Sequence, residues 1–154
     1  MINVYNVLLN EDRLPYLVKE KGSNQSKIAT KPEQIVETVN SIFHAECLAE
    51  EKVLLVCLDT KCHINGLFEV SHGTVNLSLM QPREIFLRVL LTGGSGFIIV
   101  HNHPSGEPTP SSEDWDVTKK VLSAANIMGV RFLDHIIIGN GAYFSFNEDC
   151  GMGM

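Results

Sequence analysis

Two histidines and one aspartate in the second half of the chain have the residue types and the spacing of metal ligands. His101 and His103 follow an apolar run, and Asp114 comes after a loop rich in proline, serine and glycine. Because side chains alternate along an extended backbone, histidines two residues apart point to the same side of a strand. A carboxylate on the first turn of the next helix completes a ligand set that suits Zn²⁺ and leaves a fourth position for water, as catalytic sites do. The spacing therefore predicts an open zinc site held by His101, His103 and Asp114.

Each half of this pattern also has a purely structural interpretation. His-x-His pairs occur often without a metal. A serine with an acidic residue three positions later, here Ser111 and Asp114, is also typical of a helix N-cap. Each half alone is weak evidence for function, and only their combination favours a metal site.

The flanking sequence predicts the strand and the helix that such a site needs. Phe97 to Val100 is predicted as a buried central strand that runs into His101, and Ser112 to Met128 as a helix that ends at Gly129. The other predicted helices are Thr30 to about Ala49 and Arg83 to Leu91, and the other predicted strands are Lys52 to Leu58, Ile64 to Ser71, Val130 to Ile138 and Ala142 to Phe146. The Asn140-Gly141 pair is the strongest hairpin signal in the chain. This order predicts a mixed α/β fold with a curved, mixed or largely antiparallel sheet and about three helices.

Length and composition predict one cytoplasmic domain. A chain of 154 residues with 44% hydrophobic residues can bury one substantial core. Residues 1–29 are expected to form an arm or edge strand, with a loop around Gly22 to Ser26, ahead of a globular domain over residues 30–154. No apolar run is long enough for a bilayer and the first ten residues lack a signal peptide, so we expect no membrane association.

The spacing of the cysteines and the net charge limit which structural sites and which binding partners we expect. The four cysteines match neither paired zinc ligands nor a disulfide framework, and we expect free thiols. The chain has 12 basic against 18 acidic side chains and no long basic cluster, which argues mildly against a nucleic-acid partner.

Several short motifs resemble one known family. The pattern His-x-His, seven residues, Ser, two residues, Asp resembles the JAMM motif of the JAB/MPN metalloprotease superfamily. The sequence His-Asn-His-Pro-Ser-Gly, followed by Pro-Thr-Pro-Ser before the aspartate, is similar more narrowly to the RadC family. The resemblance extends over roughly residues 30–150 and includes the segments 58–61, 82–86, 134–139 and 143–146. It implies a cytidine-deaminase-like JAB/MPN fold.

The resemblance also implies roles for individual residues. It makes His101, His103 and Asp114 the zinc ligands, and it makes Ser111 a hydrogen-bond donor beside a zinc-activated water.

The remaining catalytic residue of the family is a glutamate at the start of an upstream strand, and Glu51 fits that place, with Glu50 as the competitor. Since adjacent residues of a strand face opposite ways, only one of the two can reach the metal. We favour Glu51 from its spacing to Leu58-Asp59-Thr60 in similar sequences.

The activity implied is that of a zinc metallopeptidase-like hydrolase that cleaves a peptide or isopeptide bond in a peptide or protein substrate. Two alternatives stay open: a non-catalytic JAB/MPN interaction module, and a RadC-like protein associated with DNA repair. The first would be favoured had His101, His103, Ser111 or Asp114 been missing, and none is; the net charge disfavours the second. RadC-like proteins often carry an N-terminal helix-hairpin-helix segment, which the first thirty residues lack, so we expect at most the catalytic half.

Overall fold

Seven strands and four α-helices make up the fold in the computed structural model, which describes residues 1–24, 28–73 and 80–152. The predicted loop at Gly22 to Ser26 lies partly outside these residues. The elements, in chain order, are β1 (Ile2–Leu9), β2 (Pro15–Ser23), α1 (Pro32–Phe43), β3 (Lys52–Leu58), β4 (Ile64–His72), α2 (Pro82–Leu91), β5 (Gly96–Asn102), α3 (Ser112–Met128), β6 (Arg131–Ile138), β7 (Tyr143–Ser145) and α4 (Phe146–Cys150). A 3₁₀ turn at Ala45–Cys47 follows α1.

The strands form one mixed sheet in the order β2-β1-β4-β3-β5-β6-β7. The pairs β1/β4 and β5/β6 are parallel, and the other neighbours are antiparallel. The predicted mixed α/β class and mixed sheet are therefore confirmed. The β6–β7 hairpin turns at Asn140-Gly141 as predicted, and Gly141 has the positive φ of 68° that such a turn requires.

Helices cover both faces of the sheet. The central strands are therefore apolar along their whole length, because both sides of each strand are buried. The odd-numbered residues Val53, Leu55, Cys57, Phe97 and Ile99 pack in one core with α2 and α3. Even-numbered residues of β3 and β5 pack on the opposite face with α1. An odd-numbered residue that continues β5, or precedes β3, is therefore directed to the α2/α3 face.

The predicted extent of α1 is wrong at its C-terminal end. The helix was expected to reach about Ala49, but it ends at Phe43 because His44 adopts a left-handed conformation with φ 54°, and its N–H donates to the Asn40 carbonyl. By contrast, α3 has its predicted bounds, with Ser111 as N-cap and Gly129 in the left-handed conformation at its end.

Residues 2–23 form the β1–β2 hairpin, in which β2 lies at the edge of the sheet and β1 lies inside it. All four cysteines are unpaired. Among the residues that the structure describes, no helix is long and apolar enough to cross a membrane.

Asp134 joins β6 to the short helix α4. Its carboxylate accepts hydrogen bonds from Ser145 Oγ at 2.6 Å and from the Asn147 N–H at 3.0 Å, and the residue is only 4% exposed. Burial raises the pKa of Asp134 to about 6, although both hydrogen bonds oppose the shift. The carboxylate is therefore ionised in the folded protein at neutral pH, at a cost in stability.

This cost should appear as a pH dependence of stability that Asp134→Asn removes. The folded state holds the proton more tightly than the unfolded chain, so the wild type should gain stability as pH falls from about 6 to about 4, by on the order of 2–3 kcal/mol relative to the variant. The asparagine can still accept from Asn147 and donate to Ser145 Oγ. Urea unfolding of both proteins between pH 4 and 8 measures the difference. A constant difference over this range would contradict the prediction.

Candidate metal centre

Strand β5 brings the two histidines of the His-x-His pair to one point. His101 is paired with Val53 on β3 and lies on the α2/α3 face, fully buried. His103 follows just beyond the strand, where its N–H donates to the Ile138 carbonyl at 2.9 Å. The Nε2 atoms of the two imidazoles lie 3.0 Å apart. The strand alternation thus places both rings in one cluster on the same side of β5.

Asp114, on the first turn of α3, uses its two carboxylate oxygens differently. Oδ2 accepts the Ser111 N–H at 2.8 Å while Ser111 Oγ accepts the Asp114 N–H at 3.2 Å, which is a capping box. Oδ1 lies 3.2 Å from His101 Nε2, yet no residue in the described part of the chain donates a hydrogen bond to it. The residue that closes the capping box therefore also places a carboxylate oxygen beside His101.

The loop between the histidines and α3 is held by close backbone contacts. The Asn140 N–H donates to the Gly106 carbonyl at 2.9 Å, and a Cβ added to Gly139 would clash with the same oxygen. His103 Nδ1 lies 2.8 Å from the Glu107 carbonyl, which can only accept, so Nδ1 carries a hydrogen. The other ring nitrogen of His103 is left to face His101 and Asp114.

Glu51 reaches the same cluster from the residue before β3. Its side chain is buried, and Oε1 lies 3.8 Å from His101 Nε2. The Glu50 side chain is exposed instead, with its carboxylate 2.5 Å from His72 Nε2. Of the two glutamates that compete for this place in the sequence, Glu51 is the one beside the histidines.

Asn102 fixes the backbone on both sides of Glu51. Its Nδ2 donates to the Glu50 carbonyl at 3.0 Å, and its Oδ1 accepts the Lys52 N–H at 2.8 Å. The asparagine lies between His101 and His103 and faces the other way, so the same tripeptide presents the two imidazoles and aligns the glutamate. The position of Asn102 in the sequence alone indicated no role for this side chain.

Burial and mutual contact set the charges of the cluster. Burial raises the pKa of Glu51, while His101 and His103 oppose the shift. Burial would also raise the pKa of Asp114, but the two imidazoles and the Ser111 N–H hold it well below its ordinary range. The Asp114 contact raises the pKa of His103 against the effect of burial. Asp114 is therefore a permanent negative charge in a buried site.

The donor set fits a metal ion. Ligand atoms of Glu51, His101 and His103 all lie within 4.8 Å of one another. The Asp114 oxygens lie 3.2 Å from His101 Nε2 and 3.4 Å from His103 Nε2, and the two nitrogens are 3.0 Å apart. Ligands about 2.0–2.1 Å from a tetrahedral ion are separated by about 3.3–3.4 Å. The unpaired Asp114 Oδ1 is the buried acceptor that a cation would satisfy.

His135 belongs to this cluster as well, although the sequence pattern alone indicated no role for it. Asp134 and His135 are adjacent in β6 and face opposite sides of the sheet: Ser145 donates to Asp134, and His135 Nε2 lies 2.8 Å from His101 Nδ1. The alternation of β6 was the available signal, since the buried Ile136 and Ile138 pack on the α1 face.

Comparison with known proteins gives a consistent family. Residues 29–152 match the family model of the RadC-like JAB domain. Among similar proteins are the UPF0758 proteins of Trichlorobacter lovleyi, 42% identical over 121 residues (77% of this chain and 51% of the relative), and of Caldanaerobacter subterraneus, 39% identical over 132 residues (86% and 55%). The UPF0758 protein of Thermotoga maritima is 44% identical over 102 residues (66% and 46%). The chain thus spans about half the length of these relatives.

Proposed function

Since the chain belongs to the RadC-like JAB domain family, we propose that it is a zinc-dependent hydrolase of the JAMM type that cleaves a peptide or isopeptide bond. One observation carries the proposal. A buried Asp114 oxygen, to which no described residue donates, lies 3.2 Å from His101 Nε2, and the buried Glu51 carboxylate lies 3.8 Å from the same nitrogen. A metal ion would satisfy this group of acceptors, and the Glu51 carboxylate beside it can move a proton.

In this proposal His101, His103 and Asp114 hold the zinc ion, and they leave one position open. Zinc bound there would activate a water molecule near neutral pH and polarise the substrate carbonyl. The relatives' shared name gives no activity, and the support comes from the side chains of this chain.

Glu51 is the proposed proton acceptor. Its carboxylate lies beside His101 Nε2 but makes none of the close contacts, 3.0–3.4 Å, that join His101, His103 and Asp114. Glu51 would take a proton from the attacking water and deliver it to the leaving amine. This transfer needs a carboxylate that is ionised when the water attacks and that can carry the proton until the amine leaves.

Ser111 is the proposed donor to the oxyanion that forms as the carbonyl carbon becomes tetrahedral. Its Oγ accepts the Asp114 N–H as helix cap, which uses a lone pair, so the hydroxyl hydrogen can still be donated to another acceptor. The cap fixes the position of the hydroxyl beside the Asp114 carboxylate. One side chain can therefore serve both the helix and the reaction.

Ser111→Ala should reduce both stability and turnover. Loss of the cap is expected to cost about 1 kcal/mol in the free energy of unfolding. Loss of the oxyanion donor is expected to lower turnover by up to about 100-fold. Urea unfolding and single-substrate kinetics on zinc-loaded protein measure the two effects. Ser112→Ala, at the exposed neighbour, is the matched control. Unchanged turnover together with the stability loss would leave Ser111 as a cap alone.

The proposed function is tested by metal content and by cleavage products. Protein purified without added metal is assayed for zinc by elemental analysis, then incubated with a proteome-derived peptide library and with lysine-linked isopeptides. Mass spectrometry maps the new termini against chelator-treated protein and Glu51→Gln as blanks. We expect one zinc per chain and cleavage that both blanks abolish.

Other outcomes of this test point to other functions. Stoichiometric zinc with no cleavage in either library would favour a non-catalytic interaction module. Cleavage of single- or double-stranded DNA in a parallel incubation, with the peptides intact, would replace the proposal by a nuclease. Absence of zinc binding at added zinc would overturn it altogether.

A further inference from the structure

A chain of hydrogen bonds runs behind the candidate metal ligands and joins two of them. His101 Nδ1 lies 2.8 Å from His135 Nε2, and His135 Nδ1 lies 2.6 Å from Thr118 Oγ1. The Thr118 hydroxyl in turn lies 2.6 Å from the backbone carbonyl of Asp114, one helical turn earlier on α3. His101, His135 and Asp114 are all buried, and Thr118 is 4% exposed. Water therefore does not compete for these contacts.

The direction of each hydrogen bond in this series follows from its last acceptor, the backbone carbonyl of Asp114. The Asp114 carbonyl can only accept, so the single hydroxyl hydrogen of Thr118 is donated to it. Thr118 Oγ1 must then accept from His135 Nδ1–H. A fully buried imidazole without a carboxylate among these partners is neutral, so its other nitrogen, Nε2, is an acceptor. His101 Nδ1 consequently carries a hydrogen and donates it to His135.

With its hydrogen on Nδ1, His101 has no hydrogen on Nε2, and the Nε2 lone pair is directed at His103 and Asp114. We propose that His135 and Thr118 are positioning residues that lock His101 in the tautomer whose Nε2 can bind a metal ion. The inference rests on the proposed function for its metal, but the tautomer itself is a property of the metal-free chain. His135 and Thr118 do not touch the substrate or the ion.

Packing holds the same arrangement in place. The His135 ring stacks on Phe146, with ring centres 4.9 Å apart and planes within 7°. Its backbone is paired with Ile99 on β5, two residues before His101. Thr118 lies on the same helix as Asp114, so the chain of hydrogen bonds ties the strand that carries His101 to the helix that carries Asp114. Loss of a link is therefore expected to loosen both ligands.

Two substitutions at His135 separate the hydrogen bond from the packing. His135→Phe keeps a planar ring against Phe146 but removes the acceptor for His101. His135→Gln loses the ring but offers a carbonyl oxygen near the place of Nε2. Partners outside the ligand set typically contribute 10–100-fold to metal affinity. We expect zinc affinity to fall by about that factor in His135→Phe and to recover largely in His135→Gln.

Thr118→Val tests the hydrogen bond between Thr118 and His135. A threonine on the opposite face of the sheet provides the matched control. Without the hydroxyl, His135 is no longer compelled to donate from Nδ1, and we expect a smaller loss of zinc affinity of several-fold. Thr38 on α1 is buried to a similar degree, 6% exposed. Thr38→Val makes the same chemical change and should leave zinc affinity unaltered.

Two measurements decide the inference. Competition with a chromophoric chelator gives the zinc affinity of each variant. Long-range ¹H–¹⁵N NMR of metal-free protein at about pH 8.5, where an ordinary imidazole is neutral, reports which nitrogen of His101 carries the hydrogen. We expect Nδ1–H in the wild type and His135→Gln, and a mixture of tautomers in His135→Phe. Melting temperatures are recorded alongside, because a merely structural role would lower them without changing the tautomer.

The failures of the inference and of the proposed function are distinguishable. Nε2–H on His101 in the metal-free wild type, or equal zinc affinity in His135→Phe and wild type, would overturn the inference. If the wild type binds no zinc, the proposed function fails, and the NMR experiment on the metal-free chain still decides the role of His135.

Discussion

Glu51→Gln is expected to lower the turnover of the zinc-loaded protein by roughly two to four orders of magnitude. The amide keeps the size of the side chain, and Asn102 still holds the backbone on both sides of residue 51. What the variant loses is the group that accepts the proton from water and returns it to the leaving amine. The fold and the zinc content should therefore remain those of the wild type, while the chemical step slows.

Glu50→Gln is the matched control for this experiment. The Glu50 side chain is exposed and pairs with His72 rather than with the metal ligands, so its loss should change turnover by less than about twofold. Turnover is measured on one peptide or isopeptide substrate, with the zinc content of each preparation determined in parallel. Equal activity of Glu51→Gln and wild type at full zinc occupancy would remove Glu51 from the mechanism. A large loss in Glu50→Gln instead would transfer the role to that residue.

The bounds of single strands and helices could be predicted because residues within or next to each element determine where it starts and ends. The β3 strand has its predicted bounds, Lys52–Leu58, since a β-branched apolar run is ended by polar residues, and α3 has its predicted bounds because Ser111 and Gly129 cap it. The order of the strands has no such signal. Parallel pairing of β1 with β4 depends on contacts between segments about sixty residues apart, through Val4 and Leu67.

The same distinction between local and long-range contacts applies to the residues of the candidate site. The cluster of His101, His103 and Asp114 was visible because a strand, a loop and a helix turn bring close sequence neighbours together. The supports were not visible: His135 lies 34 residues from His101, and Asn102 bonds the backbone of Lys52 from 50 residues away. Such contacts follow from the order of β3, β5 and β6 in the sheet, and the sequence predicts each strand without that order.

Asp114→Asn is expected to abolish tight zinc binding while leaving the helix intact. An asparagine oxygen in the place of Oδ2 can still accept the Ser111 N–H, so the capping box survives. The amide nitrogen then takes the place of Oδ1 and directs a hydrogen at His101 Nε2, which lies 3.2 Å from that position. A donor thus replaces the lone pair and the negative charge that a cation needs. Zinc affinity should fall by more than the roughly 100-fold that marks the loss of an outer partner.

The matched control is Asp116→Asn, the same substitution two residues further along α3. Asp116 is exposed, so the change removes an equal charge from the same helix without touching the cluster. Zinc affinity is measured by chelator competition and helix stability by thermal unfolding of the metal-free proteins. The contacts that lower the pKa of Asp114 also make its charge stabilising in the folded protein, so Asp114→Asn should lower the metal-free melting temperature, with the new hydrogen bond to His101 offsetting part of the loss. Zinc affinity equal to that of Asp116→Asn would show that Glu51, His101 and His103 hold the ion without Asp114. Lost affinity in a variant that still unfolds cooperatively would assign Asp114 to the metal as well as to the helix cap.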